Sequence, residues 1–152
     1  MRTFRGARRR FDVLYRSADY TVVDDYGHHP TEIDATLGAL RHHYNPARLI
    51  CVFQPHQHSR TRFLMQQFAT SFSEADIVIV PHIYFVRDSE EERHAVQAAD
   101  LVDRLRQGGR QAMHLYPFDA IVEQLKLIAR DGDLVVTMGA GDVWKVAADF
   151  LG

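Results

Sequence analysis

Residues 49–72 read LICVFQPHQHSRTRFLMQQFATSF, and this stretch decides the fold. Its first five residues are apolar, which is typical of a strand buried on both faces of a sheet. A polar loop follows, and residues 59–72 are then predicted to form a helix. The apolar side chains at helical spacing on its predicted inner face are Phe63, Leu64, Phe68 and Phe72. A buried strand that leads through a loop into a helix is the unit from which parallel α/β sheets are built.

The same alternation of strand and helix recurs on both sides of this stretch. Further strands are predicted at residues 11–15, 20–23, 77–80, 112–115 and 134–138. Further helices are predicted at residues 30–43, 94–107, 117–129 and 142–151. This alternation implies crossover connections and predicts an α/β fold. We expect a Rossmann-like three-layer domain, with a mostly parallel sheet of about six strands, helices on both faces, and one domain over residues 1–152.

Composition excludes several classes of protein. A formal net charge of -2 argues against a nucleic-acid-binding role, although residues 5–10 are basic. The single cysteine, Cys51, excludes a disulfide framework and suits a reducing compartment. No apolar run approaches the ~18 residues of a membrane span, and no apolar stretch follows the first arginines as in a signal peptide. We therefore expect a cytoplasmic protein with no membrane partner.

Three polar segments each follow a predicted strand and precede a predicted helix. They cover residues 24–30, 54–61 and 139–142. In open α/β sheets, ligands bind beyond the carboxyl ends of the strands, so this placement predicts a shared site. The charged stretch at residues 81–92 has two interpretations that stay open, a mobile loop near the site or a surface excursion.

Four histidines lie in the first two of these segments, and they are His28, His29, His56 and His58. Imidazoles in this number could bind a transition metal, donate hydrogen bonds to a carboxylate or phosphate, or serve as helix caps and packed polar groups. Because metal-binding cysteines and an HExxH spacing are missing from the sequence, we predict no metal site.

Charged side chains in the same segments suggest an anionic ligand. Asp24 and Asp25 could accept ribose hydroxyls or cap the next turn, and we expect one to take each role. Arg60 lies near a predicted helix start, where a cation opposes the helix dipole, so an anionic partner such as a carboxylate is indicated.

The third segment does not form a nucleotide site of its own. Gly139 and Gly141 offer backbone amides at a helix start, which suits an anion. However, Trp144 stands where GxGxxG requires its third glycine, and Asp142 would repel phosphate. No GxxxxGK[ST] loop is present, so any ATP phosphates must be held by groups from elsewhere.

Four motifs together resemble the carboxy-terminal domain of the Mur ligases, of the UDP-N-acetylmuramate–L-alanine ligase type. They are the F-x-G-x-x-RRF pattern of residues 4–11, DDYGHHPTEI at 24–33, FQPHQHSRT at 53–61 and MGAGD at 138–142. They occur in the family's order and span nearly the whole chain.

The resemblance implies an ATP-dependent, amide-forming ligase of peptidoglycan synthesis. ATP and Mg would be held mainly by a central domain, and the UDP-sugar by an amino-terminal domain. This fragment alone would be inactive. By similarity Arg10 and Asp25 would contact ATP, and the loop of Gly139 and Gly141 would lie near the substrate. The residues that would line the L-alanine pocket are Tyr26, His28, His56, Gln57 and Arg60.

The sequence departs from the family motif at two positions near the predicted pocket for the amino-acid substrate. The family motif reads FQPHRYSRT, so Gln57 replaces an arginine and His58 a tyrosine. Arg62 and Arg87 are candidates to supply the missing cation. We favour alanine over glycine or serine, and over the tripeptide of a related ligase, which has the DDxxHHP element without FQPH. The alternatives are a stand-alone module that binds a nucleotide or amino acid, and a small metalloenzyme.

Overall fold

A computed structural model of the chain describes residues 12–17 and 19–152. The strands are β1 (Asp12–Arg16), β2 (Thr21–Asp25), β3 (Arg48–Phe53), β4 (Ile77–Val80), β5 (Gln111–His114) and β6 (Asp133–Met138). The helices are α1 (Pro30–Tyr44), α2 (His58–Phe63), α3 (Met65–Thr70), α4 (Glu90–Ala95), α5 (Ala98–Gln107), α6 (Phe118–Ile128) and α7 (Trp144–Leu151).

The strands form one six-stranded sheet in the order β1-β2-β6-β3-β4-β5. β1 pairs antiparallel with β2 at the edge, and all the other pairs are parallel. The mostly parallel α/β fold predicted from the sequence is therefore confirmed.

Two apolar layers cover the sheet, because successive side chains of a strand point to opposite faces. In β3, Leu49, Cys51 and Phe53 pack in the layer that α1, α3 and α5 complete. Ile50 and Val52 pack on the other face, in the layer that α6 and α7 complete. All five side chains are fully buried, which explains why the run is apolar without alternation.

The direction of the crossovers changes at β6. The loops after β2 and β3 lead to helices on one face, whereas the loop after β6 leads to α7 on the other. β6 lies between β2 and β3, so these three loops diverge from neighbouring strands. Such a switch point leaves a crevice outside the carboxyl ends of the strands, where ligands of α/β proteins bind.

The predicted helix over residues 59–72 is wrong in one respect, because it is two helices that meet at Leu64. α2 contacts α4, while α3 packs on α5, so the two halves of the segment pack against different helices. Phe63 is consequently 82% exposed rather than on the inner face, whereas Phe68 and Phe72 are buried beside Phe53.

The predicted helix over residues 94–107 also has an earlier start and a break. The chain is extended at Val96, whose buried side chain separates α4 from α5. α4 begins inside the stretch that was predicted to be irregular, and the Ser89 hydroxyl caps it by accepting from the Glu92 amide.

Among the described helices, none has both the length and the apolar character needed to cross a membrane.

Candidate functional site

The loops after β2, β6 and β3 are joined by backbone hydrogen bonds. The Gly139 amide donates to the carbonyl of Asp25 over 3.2 Å, and the Gln54 amide donates to the carbonyl of Met138 over 3.0 Å. The three segments singled out in the sequence therefore meet at the switch point of the sheet.

Two glycines allow this close approach. At Gly139 the backbone has φ +149°, and a Cβ would lie 2.8 Å from the Gln54 carbonyl oxygen. At Gly141 a Cβ would lie 2.8 Å from the Tyr84 ring. Because the Gly139 amide already donates to Asp25, the first of the predicted anion-binding amides contributes to the structure of the loop.

The paired aspartates have separate surroundings. Asp25 is 3% exposed, and its Oδ2 accepts hydrogen bonds from the Gly27 amide and the Thr36 hydroxyl. The turn-capping role thus belongs to Asp25, while its contact with a ribose stays a prediction. Asp24 is fully buried and accepts a hydrogen bond from the Thr137 hydroxyl, so it contributes to β2–β6 pairing instead of a ligand site.

Aromatic rings from three segments line the crevice. The ring centroids of Tyr26 and His28 are 5.5 Å apart, and those of His28 and His56 are 6.0 Å apart. His56 in turn stacks on Tyr84 at 5.2 Å, with 12° between the planes. Tyr84 is absent from the residues predicted for the site, although its position shortly after the carboxyl end of β4 was a signal that could have found it.

The other two histidines of these loops have structural roles. His29 caps α1, where its Nδ1 accepts from the Thr31 amide over 3.2 Å. His58 is 6% exposed and lies against Asp88 and Phe85. Within residues 12–17 and 19–152, no group of three or more His, Cys, Asp or Glu side chains is arranged to hold a metal ion.

Residues 84–88, which we call the clasp segment, are held against the loop after β3 at both ends. At one end, the Gln57 amide donates to the Tyr84 carbonyl over 2.9 Å, and the Tyr84 amide donates to the Pro55 carbonyl over 2.8 Å. Tyr84 also forms an isolated β-bridge with His56. This part of the charged stretch therefore lies beside the site rather than making a separate excursion.

The other end of the clasp segment is held by Asp88. Its carboxylate accepts from the amides of His58 and Ser59 and from the Ser59 hydroxyl, the last over 2.8 Å. Burial alone would raise the pKa of Asp88, but these hydrogen bonds lower it below its ordinary value. Asp88 is therefore an ionised group that caps α2 from 30 residues away.

Charges of both signs act on His56. Burial lowers the pKa of His56, the charges of His28, Arg60 and Arg87 lower it further, and the carboxylate of Asp88 opposes them. The Arg60 side chain makes no hydrogen bond or ion pair with any residue in the described ranges. Arg62, in contrast, holds Glu92 with two nitrogens at 2.8–3.2 Å.

The predicted pocket residues Tyr26, His28 and His56 are therefore adjacent, and Arg60 lies within electrostatic range of His56. Gln57 is beside them, with a left-handed backbone at φ 74°. Arg10, predicted to face ATP phosphates, falls outside the described residues. None of these contacts with a ligand has been tested, and they stay predictions.

This fold and site define a Rossmann-like α/β domain with histidine and tyrosine rings clustered at its switch point. The chain belongs to the family described as "Mur ligase, glutamate ligase domain", which matches residues 9–141. The resemblance to the carboxy-terminal domain of Mur ligases is thereby confirmed.

Curated relatives bear the name UDP-N-acetylmuramate–L-alanine ligase. The protein of Caldanaerobacter subterraneus is 44% identical over 99% of this chain, and that of Clostridium novyi is 46% identical over 98%. In both cases the match covers 32% of the relative, so the chain spans about a third of the length of these ligases.

Solved structures share the fold. The UDP-N-acetylmuramate-alanine ligase of Thermotoga maritima matches with a TM-score of 0.72 and 24% identity, over 94% of this chain and 29% of that one. A domain from Haemophilus ducreyi, assigned to a ligase for L-alanyl-γ-D-glutamyl-diaminopimelate, matches with a TM-score of 0.69 and 26% identity. That match covers 93% of this chain and 97% of the solved domain.

Proposed function

We propose that residues 1–152 form one domain, the carboxy-terminal domain of an ATP-dependent ligase that joins L-alanine to UDP-N-acetylmuramate in peptidoglycan synthesis. The domain holds the amino acid, and closes over ATP on a central domain of the same enzyme. The observation that carries this proposal is the pairing of the His28 and His56 rings at the switch point, beside a helix whose Arg60 side chain has no partner among the described residues.

The chemistry of amide formation requires a neutral amine close to an activated carboxyl group. A guanidinium can hold the amino acid's carboxylate through two parallel hydrogen bonds, which leaves the amine free to point away from the domain. His56, whose lowered pKa favours the neutral ring, adds no charge of its own beside that amine. Correct orientation of the two reactants contributes about 7–11 kcal/mol in favourable cases.

ATP would supply the phosphoryl group that activates the muramate carboxyl. The described part of this chain does not fit the triphosphate, because Lys126 is exposed on α6 and Lys145 lies 3.6 Å from the carboxylate of Asp142. We therefore place the phosphates and Mg on the central domain. Asp25 and Arg10 are proposed only as contacts at the rim of the nucleotide.

The choice of alanine rests on the relatives. The curated relatives at 44–46% identity bear the name of the alanine ligase. Sequence identity to the solved structures does not separate the two substrates, since it is 24% for the alanine ligase and 26% for the domain assigned to a tripeptide ligase. Glycine and serine are small enough to compete, and they belong among the substrates tested.

The proposal is tested by Arg60→Ala in the full-length ligase. Loss of a charge-assisted contact should raise KM for L-alanine roughly ten- to a hundredfold, with little change in KM for UDP-N-acetylmuramate. Arg62→Ala is the matched control, because that arginine is two residues away on the same helix and already pairs with Glu92. An unchanged KM for alanine in the Arg60 variant removes Arg60 from the pocket and, with it, the proposed site.

A further inference from the structure

The loop after β3 presents one cation fewer than the family motif, because Gln57 stands where that motif has an arginine. The backbone amide of Gln57 donates a hydrogen bond to the Tyr84 carbonyl, and the backbone carbonyl of Gln57 accepts hydrogen bonds from Thr61. Its side chain can offer a carboxylate a hydrogen bond but no charge. Arg60 alone would then balance the negative charge of an amino-acid substrate at this loop.

The clasp segment carries another cation to this place. Arg87 lies between Tyr84 and Asp88, the two residues that fasten the segment to the loop after β3. The Tyr84 ring stacks on His56 at 5.2 Å and Asp88 accepts from the start of α2, so the segment that carries Arg87 runs beside His56 and beside the helix that carries Arg60.

The surroundings of Arg87 differ from those of a paired surface arginine. Its side chain is exposed, and it forms no ion pair or hydrogen bond within the described ranges. Its backbone has φ +52°, a left-handed conformation that a bulky residue adopts at a cost. The fastened ends of the segment maintain that conformation, and backbone strain of this kind gathers at ligand sites.

The neighbouring arginines are already engaged. Arg62 is held by Glu92. Arg93 lies over the Phe85 ring at 4.7 Å and has Glu90 at 3.5 Å. Of the two candidates raised by the sequence to replace the missing cation, the geometry therefore favours Arg87 over Arg62.

We infer that Arg87 is a substrate-binding and specificity-determining residue, which with Arg60 binds the carboxylate of the incoming amino acid in place of the arginine missing at position 57. This inference rests on the proposed function of the site. It moves one of the two carboxylate contacts from the loop after β3 to the clasp segment, so that recognition of the amino acid depends on how firmly Tyr84 and Asp88 hold that segment.

The test uses the full-length ligase with L-alanine, ATP and UDP-N-acetylmuramate varied in turn. Arg87→Ala should raise KM for alanine roughly ten- to a hundredfold and leave KM for the other two substrates within about twofold. Arg87→Lys, which keeps the charge without the planar fork, should lie between Arg87→Ala and the parent. Arg62→Ala serves as the control, and circular dichroism checks that each variant folds.

A second variant distinguishes binding from structure. In the double variant Gln57→Arg/Arg87→Ala, the arginine is returned to the loop after β3, and KM for alanine should recover to within about threefold of the parent. A structural defect at position 87 would not be repaired by a new arginine at position 57.

The outcomes distinguish the proposed amino-acid site from the proposed role of Arg87 in it. If Arg60→Ala raises KM for alanine and Arg87→Ala does not, the role of Arg87 is overturned and the site stands. If Arg87→Ala raises KM for all three substrates, or if Gln57→Arg fails to restore it, the role of Arg87 is also overturned. If Arg60→Ala leaves KM for alanine unchanged, the proposed site itself is lost, whatever the effect of Arg87→Ala.

Discussion

Gly139 has the most demanding surroundings of the residues near the site. Its backbone is at φ +149°, and the Gln54 carbonyl oxygen occupies the space that a Cβ would need. Any other residue at this position would therefore destabilise the loop. L-amino acids rarely adopt this backbone conformation, and a backbone oxygen cannot easily move away from a Cβ. Gly38 in α1 is different, since a Cβ there meets nothing within 4 Å.

Gly139→Ala should therefore lower the free energy of unfolding by about 1–3 kcal/mol. Gly38→Ala, the control, should raise it by about 0.5–1 kcal/mol, because alanine loses less backbone entropy in a helix. Urea denaturation of both variants measures the two changes. A Gly139→Ala variant as stable as the parent would mean that the loop after β6 can relax away from Gln54.

Helix α2 depends on a partner outside its own sequence. It has six residues, and Gln57 at its start offers no side-chain cap. Helices of this length are marginal without tertiary support. Asp88 supplies the acceptors for its first amides, and the Arg62–Glu92 pair links it to α4. The helix that carries Arg60 is thus held in place by the clasp segment.

Asp88→Ala should cost about 2 kcal/mol of stability through the lost cap, and it should also raise KM for alanine in the full-length enzyme. Ser89→Ala is the matched neighbour, because Ser89 caps α4 and makes no hydrogen bond with the residues of α2. It should cost about 1 kcal/mol and leave KM for alanine unchanged. Equal effects of the two variants on KM would count against a special role for the clasp segment.

Three histidines, His58 buried and His56 and His114 half-buried, couple the stability of the whole domain to pH. Burial is the first cause that lowers the pKa of His56, His58 and His114. Below pH ~6.5 the unfolded chain takes up protons that the folded chain resists, so stability falls as pH falls through this range. Asp76 and Asp88 also have lowered pKa values, and their contribution is lost only below pH ~4.

We expect the free energy of unfolding to decrease from pH 7.5 to pH 5.5, and His58→Gln to make this dependence shallower. Urea denaturation at several pH values, with the parent and the variant compared at equal salt, measures both slopes. Stability that stays constant, or rises, on acidification over this range would contradict the lowering of these histidine pKa values by burial.

The division of labour between domains predicts that residues 1–152 alone will not turn over ATP with UDP-N-acetylmuramate and L-alanine. The two lysines of the chain are poorly placed for a triphosphate, since one is exposed on α6 and the other is next to Asp142. Phosphate release is the measurement, with the full-length ligase as the positive control. Ligase activity in the isolated domain would overturn the placement of ATP on another domain.

The class of fold was predictable from local pattern, since buried parallel strands contain continuous apolar runs, and residues 49–53, 77–80 and 134–136 are such runs. Ligands of α/β proteins bind at the loops that follow parallel strands, so the three loops of the site were also predictable. The break at Leu64 was not, because it depends on which helix each half of the segment meets.

The sequence by itself determined the order of strands and helices, the strand-end loops, and the residues available to bind a small zwitterion. Only the tertiary structure decided which of these residues lie together at the site and which have structural roles. It gave Asp25 and Asp24 different hydrogen-bond partners, gave His29 and His58 structural roles, and brought Tyr84 beside His56. The physical reason is that spacing along the chain reports local periodicity, whereas contacts between loops depend on where the sheet places strand ends that are distant in sequence.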